Sequence, residues 1–245
     1  MEPTREQIRS FNDDGYLVVE DLIDPAAVAA LRARLDELQE ASVAGADAPV
    51  KFQLEKGGAA TAVKPSLRKL DEPALTDPLF RSVAATPAIL DIVTTLTGGG
   101  VHLMLYSDQV FMKPAFCGSE KPLHQDNSYF KVTPHTAGIT CWIALDDATT
   151  ENGCLHYIPG SHKLGLVKHR EMAEKMHLTP DVDFPLPTEV AVPVRAGTCI
   201  FHHLLAMHSS KANRSALPRR AYAVHYANRS AESCVRSWDD MLPLR

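Results

Sequence analysis

The triplet His124-Gln125-Asp126 sets an imidazole and a carboxylate two residues apart. On a strand, residues i and i+2 point to the same face, so the two groups would converge on one point. His208, in Ala206-Met207-His208-Ser209-Ser210, supplies a third donor. Two imidazoles and one carboxylate on one face of a metal are the ligand set of non-haem Fe(II) oxygenases, and they leave coordination positions open for reactants. A lone His-x-Asp occurs often by chance. His202, His203 and His225 compete with His208 for the third place. His202 and His203 are neighbours after an apolar run, so on a strand they face opposite sides.

The elements that must position these groups are β-rich. From residue 101 the chain reads as short strands, 101–112, 139–145, 155–158, 190–194, 199–203 and 221–226, separated by Gly, Pro, Asn and Asp turns. That pattern predicts an antiparallel sandwich or barrel. Before it, Thr4 with Gln7 resembles a capping box opening a short helix through Ile8 and Phe11, which 12–15 breaks. Residues 16–19 read as a strand. Asp24-Pro25 starts an amphipathic helix over 25–41, with Val28, Leu31, Leu35 and Leu38 on one face. Pro78 and Pro87 start further helices within 76–97. Residues 42–62 read as a loop or lid, and 163–189 as an insertion with one helix and a proline-containing loop. The expectation is one domain over 1–245, with a mostly helical part (1–100) packed on a β-core (101–230).

Composition narrows the function classes. The 245 residues are 45% hydrophobic and 22% charged, which excludes a disordered chain, a collagen and a coiled coil. Twenty-five Lys+Arg against 30 Asp+Glu give a net charge of −5, too acidic for a dedicated nucleic-acid binder. No apolar run reaches membrane-spanning length. The charged start, Met1-Glu2-Pro3-Thr4-Arg5, does not read as a signal peptide. Five cysteines without a CxxC pair argue against a disulfide scaffold or thiolate zinc site and for a reducing, cytoplasmic setting.

The surrounding blocks carry a family resemblance. Pro122-Leu123-His124-Gln125-Asp126 is followed by Asn152-Gly153-Cys154-Leu155-His156-Tyr157-Ile158-Pro159-Gly160-Ser161-His162, then His208-Ser209-Ser210, Asn213-Arg214-Ser215 and Arg219-Arg220-Ala221. In this order and spacing, over roughly residues 5 to 228, the chain resembles the phytanoyl-CoA dioxygenase family of Fe(II)/2-oxoglutarate oxygenases. The resemblance implies a mainly β double-stranded β-helix (a jelly roll, cupin-like) with flanking helices. It implies His124, Asp126 and His208 as iron ligands. It also implies Arg219, eleven residues after the last histidine, as the group gripping the far carboxylate of 2-oxoglutarate; a planar guanidinium suits that task. Ser210, Gln109 and Trp142 occupy positions that line the cosubstrate pocket in the family. Arg220, next to Arg219, would point the other way on a strand.

The implied cofactors are Fe(II), 2-oxoglutarate and O2, and the implied reaction releases succinate and CO2. Halogenating relatives lack the carboxylate, so Asp126 favours hydroxylation, or another oxidation, of an unactivated C–H in a small organic molecule. Family breadth makes secondary metabolism a plausible setting. No nucleic-acid or membrane partner is expected, and the chain is expected to be a monomer or homodimer. Lys64, Arg68 and Lys69 form a small basic cluster suited to 2-oxoglutarate, a substrate carboxylate or water. The loops 42–70 and 163–189 are the expected substrate-defining lids. Tyr129 and Phe130 suit either a substrate wall or packing. His156 falls in a strand whose facing parity alone does not settle. His102, His135, His169 and His177 have no evident partner in sequence.

Overall fold

A computed structural model describes residues 2–43, 50–55, 66–98, 103–172 and 177–245. The N-terminal part contains α1 (Arg5–Asp14), β1 (Tyr16–Val19), α2 (Pro25–Val43), β2 (Lys51–Leu54), β3 (Leu67–Asp71), α3 (Pro73–Thr76), α4 (Pro78–Ala84) and α5 (Pro87–Leu96). Then come β4 (Leu103–Lys113), β5 (Lys121–His124), α6 (Asn127–Phe130), β6 (Val132–Thr133), β7 (Gly138–Ala144) and β8 (Leu155–Tyr157). The chain continues with β9 (His169–Glu171), β10 (Leu178–Pro180), β11 (Val190–Val192), β12 (Cys199–His203), β13 (His208–Ser210) and β14 (Arg219–Asn228). It closes with β15 (Glu232–Ser233) and β16 (Leu242–Pro243).

Local chemistry sets the helix ends. The capping box is present, with Thr4 N–H bonded to Gln7 Oε1 at 2.8 Å and Gln7 N–H to Thr4 Oγ1 at 3.2 Å. The 12–14 run does not break α1; the helix runs through Asp14 and ends at Gly15 with φ +85°. Glycine is required there by that φ and by space, since a Cβ would lie 2.5 Å from His162 Nδ1. Asp24 caps α2 by accepting from Ala26 N–H at 2.7 Å.

Two antiparallel sheets form the layers of a jelly roll, and β9 with β10 and β6 with β15 pair outside them. The larger runs β1–β12–β7–β14–β4–β3–β2, with β16 also on β4. The smaller runs β11–β8–β13–β5. Period-two alternation divides the larger sheet's faces. Ile139, Cys141 and Ile143 of β7, Cys199 and Phe201 of β12, and Tyr222, Val224 and Tyr226 of β14 pack against helices α2, α4 and α5. Leu31 and Leu35 of α2 are fully buried there, each contributing about 1.5–3 kcal/mol. The other face turns Thr140, Trp142, His202, Ala223, His225 and Arg219 into a cavity of about 300 Å³ that the smaller sheet closes.

Two loop expectations are corrected. Within 42–62, β2 pairs with β3 and extends the larger sheet, so part of this stretch is strand. The rest of the expected lid, including Lys64, lies largely outside the described residues. In 163–189 no α-helix forms among the described residues; β9 and β10 make a hairpin instead. No single helix among the described residues is long and apolar enough to cross a membrane. The apolar pair α4 and α5 is bent by 47° and spends its hydrophobic residues on the sheet.

Candidate active site

His124 ends β5 and His208 opens β13; the two pair directly in register. Asp126 lies beyond the strand, with φ −56° and ψ −38° at the start of α6. The expectation that His124 and Asp126 share a strand face is therefore wrong in mechanism. The chain leaves the strand and the helical turn swings the carboxylate back. One donor atom from each of His124, Asp126 and His208 lies within 4.8 Å of the others, and all three residues are buried. His124 Nε2 stands 3.5 Å and His208 Nε2 3.7 Å from Asp126 Oδ1.

Hydrogen bonds set the tautomers. His124 Nδ1 donates to the Pro122 carbonyl at 2.8 Å and His208 Nδ1 to the Ala206 carbonyl at 3.0 Å. Each Nε2 then carries a lone pair directed at Asp126 Oδ1, the arrangement a metal-binding imidazole needs. Burial pushes both imidazoles to lower pKa, favouring the neutral form that ligates. Burial by itself would raise the Asp126 carboxyl; its polar surroundings, with His202 Nε2 donating to it, outweigh this and hold it well below the usual range.

The second carboxylate oxygen is held separately. Thr140 Oγ1 donates to Asp126 Oδ2 at 2.6 Å, and His202 Nε2 donates to it at 3.0 Å. This distinguishes the competing histidines by their hydrogen bonds. His202 spends its Nε2 proton on the carboxylate, so that nitrogen has no lone pair for a metal. His203 faces the other way, toward Phe11 and His162. Because the Thr140 proton goes to Asp126, Thr140 Oγ1 accepts from His225 Nδ1 at 2.9 Å. Burial lowers His225 to about 4, so the ring, which lines the cavity, is neutral, and its buried Nε2 is an acceptor with no protein partner among the described residues. Thr140, His202 and His225 form a supporting layer that the motif reading did not assign; their strand parity was the available signal.

Arg219 is 2% exposed and points inward from β14, its guanidinium 5.6 Å from the Trp142 ring. Its Nε and Nη1 have no hydrogen-bond partner among the described residues. Burial lowers its pKa from 12.5 to about 10, so it is charged at neutral pH. Arg220 turns outward and binds Asp146 at 2.9 Å and Asp36 at 2.9 Å. The inner face of β14 thus reads Arg219, Ala221, Ala223, His225, and the two alanines leave room between guanidinium and imidazole. Gln109, Trp142 and Ser210 line the same cavity. Gln109 and Trp142 flank Ala223 on adjacent strands.

Several motif residues are structural. Ser161 Oγ accepts from Met207 N–H at 2.8 Å, and Gly160 N–H donates to the Asp14 carbonyl at 2.9 Å, tying α1 to the approach of β13. Asn213 Nδ2 bonds the Lys113 and Leu217 carbonyls and so sets the start of β14. His156 lies between Leu155 and Tyr157 with opposite parity and stays out of the cavity. Tyr129 and Phe130 line it. His135 and His169 bond Asn127 and Gln125 N–H respectively, and His177 meets Arg68 and Lys121, so these three have partners that sequence did not reveal. His102 lies outside the described residues. All five cysteines are free thiols.

Comparison with known proteins agrees with this geometry. The profile of the phytanoyl-CoA dioxygenase family (PhyH) matches residues 11–221. Phytanoyl-CoA dioxygenase domain-containing protein 1 of Danio rerio is 29% identical, over 91% of this chain and 89% of its own length. The human peroxisomal phytanoyl-CoA dioxygenase is 27% identical, over 92% of this chain and 68% of its own. Among solved structures, the non-heme alpha ketoglutarate dependent carbocyclase SnoK from nogalamycin biosynthesis is 27% identical, with a TM-score of 0.75 over 97% of this chain and 89% of that one. The non-heme monooxygenase ThoJ is 26% identical, with a TM-score of 0.76 over 98% of this chain and 83% of that one. With a profile match over most of its length and a cavity holding the two histidines and one carboxylate, the chain belongs to the phytanoyl-CoA dioxygenase family of Fe(II)- and 2-oxoglutarate-dependent oxygenases.

Proposed function

We propose that His124, Asp126 and His208 hold Fe(II), and that Arg219, with Gln109, Trp142 and Ser210 around it, holds 2-oxoglutarate by its far carboxylate. The carrying observation is the pair of Nδ1–carbonyl bonds that leaves two Nε2 lone pairs converging on one carboxylate oxygen. The buried guanidinium of Arg219, whose Nε and Nη1 have no partner among the described residues, fits the second group, because such donors suit a carboxylate ligand. When bound, iron with 2-oxoglutarate supplies oxidising power: O2 is consumed, 2-oxoglutarate becomes succinate and CO2, and a substrate C–H is oxidised.

The chain's own residues do the rest. Thr140 and His202 lock the Asp126 carboxylate so that only Oδ1 is presented. The apolar walls of Trp142, Leu155 and Phe111 exclude water. His225 offers a lone pair to a substrate donor. The reading extends to hydroxylation of an unactivated C–H in a small molecule, in a secondary-metabolic setting like that named for SnoK. We further propose a single catalytic domain, monomeric or homodimeric, acting in the cytoplasm without a nucleic-acid or membrane partner; free thiols that include an exposed Cys234 support a reducing compartment.

The test is an anaerobic titration of metal-free protein with Fe(II) and then 2-oxoglutarate, followed by visible absorption. A weak charge-transfer band requiring both additions, and absent from Asp126→Ala, is expected. Folded protein without the band would refute the assignment.

A further inference from the structure

Resting on that reading, we propose that the substrate is a small organic anion whose charged group is held between Arg68 and Lys121 at the cavity mouth. The hairpin β9–β10 and its neighbour His177 complete this place. Arg68 Nη2 lies 3.2 Å from His177 Nε2, and Lys121 Nζ lies 3.3 Å from His177 Nδ1. A neutral imidazole has one accepting nitrogen, so it cannot accept from a guanidinium and from an ammonium at once. Arg68 and Lys121 between them therefore keep a donor that this imidazole cannot take. Tyr129 Oη is bonded to Lys121 Nζ at 3.2 Å and accepts Leu178 N–H at 2.8 Å, which fixes the hairpin to the site.

The charge balance points the same way. The cavity is lined by the cations Arg68, Lys69, Lys121 and Arg219, by Lys113, which burial lowers to about 6, and by the acids Glu120 and Asp126. With Fe(II), Asp126, the 2-oxoglutarate dianion and Arg219 together, the inner site is neutral. Lys69 is paired with Asp71 at 2.6 Å. Lys113 donates to the carbonyls of Ser119, Ser210 and Lys211. Among the described residues Arg68 donates to Ser119 Oγ at 3.1 Å and has Glu55 4.0 Å from its Nε, while Lys121 forms no ion pair, so its charge is the one left in excess. Burial lowers Lys121 to about 8, the mark of an ammonium short of solvation and counter-charge.

The site is also close enough to the metal ligands to orient a substrate. Lys121 Nζ sits 4.7 Å above the Tyr129 ring, and that ring meets His124 edge-on at 5.8 Å between centroids. One aromatic ring separates the anion site from an iron ligand. A bound anion would therefore present a carbon only a few bonds away to the oxidising centre, with Tyr129 as the wall.

The test uses protein loaded with Fe(II) and saturating 2-oxoglutarate under argon, titrated calorimetrically with propionate, methyl phosphate and propionamide. Saturation keeps the probes from the 2-oxoglutarate site. Wild type is expected to bind propionate or methyl phosphate, whichever source of charge fits, and to bind propionamide at least about tenfold more weakly. Arg68→Gln and Lys121→Gln should each weaken anion binding about tenfold or more. Arg68→Lys and Lys121→Arg should recover part of it, and the exposed control Arg195→Gln should match wild type. The charge-transfer band reports folding and cosubstrate binding in every variant. A normal band with no preference for anions over propionamide, or with anion affinity unchanged in both glutamine variants, overturns the substrate class and leaves the oxygenase reading standing. Absence of the band in wild type overturns the oxygenase site and this assignment with it.

Discussion

Arg219→Met separates a ligand-binding arginine from a structural one. In the ligand-free protein, burial drops the Arg219 pKa from 12.5 to about 10. At 1.36 kcal/mol per tenfold, holding the charged form there costs about 3 kcal/mol. The sign follows from the depressed pKa of a base: the cost is fully present at neutral pH and is relieved only as pH rises above about 10. Methionine removes the charge and its two unpartnered donors but loses the stacking on Trp142, worth about 0.5–2 kcal/mol. The net expectation is a gain of about 1–2 kcal/mol, which for a chain of this size raises Tm by roughly 2–8 °C. Losing two charge-assisted bonds to the cosubstrate carboxylate should cost about 3–5 kcal/mol, a roughly 10²–10⁴-fold weaker Kd for 2-oxoglutarate. Calorimetric melting of metal-free protein gives the first quantity. Anaerobic absorbance titration of Fe(II)-loaded protein gives the second. A Tm lowered by several degrees, with 2-oxoglutarate affinity within fivefold of wild type, would refute the reasoning and make Arg219 a structural residue.

Thr140→Val removes the hydroxyl that holds Asp126 Oδ2 and should weaken Fe(II) binding about 10- to 100-fold in a competitive chelator assay; unchanged affinity would mean the carboxylate is positioned by His202 alone. Asp108 accepts from Ala74 N–H and Tyr222 Oη yet is raised from 3.8 to about 6 by burial. Its stabilising contribution is therefore full below pH 3.8 and lost as pH rises through about 6. Asp108→Asn should accordingly gain about 1–3 kcal/mol relative to wild type between pH 4 and pH 8 in urea unfolding, and a pH-independent difference would count against this. Gly153 has φ +92°, and a Cβ there would lie 2.4 Å from the Lys211 carbonyl oxygen. Gly153→Ala should cost about 2 kcal/mol or more, seen as a lowered Tm; an unchanged Tm would show that the turn relaxes freely.

Much of the fold was readable because it rests on local rules. Proline at helix starts, the Thr4–Gln7 box and the Val28, Leu31, Leu35, Leu38 stripe foretold α1, α2, α4 and α5. Alternating or wholly apolar segments between turn residues foretold β7, β8, β12 and β14. The 163–189 hairpin was not readable. Its strands are three residues long, and they are held by Tyr129 and Gln125, far away in the chain. The same holds for β2, an edge strand only four residues long whose alternating Phe52 and Leu54 stay exposed.

At the site, residue type and order pointed to the chemistry through the family resemblance they carry: two imidazoles and a carboxylate as the implied iron ligands, and an arginine as the implied carboxylate clamp. Tertiary structure decided everything that depends on who faces whom. Asp126 reaches His124 through a turn and not along a strand. His202 directs its Nε2 proton to Asp126, whereas the Ala206 carbonyl takes the Nδ1 proton of His208 and leaves its Nε2 lone pair free. Arg219 turns inward with Nε and Nη1 unpartnered among the described residues, while Arg220 finds Asp146 outside. A sequence states which donors and acceptors exist. Only the register of strands from distant parts of the chain states which of them are already satisfied, and an unsatisfied group in a buried cavity is what a ligand binds.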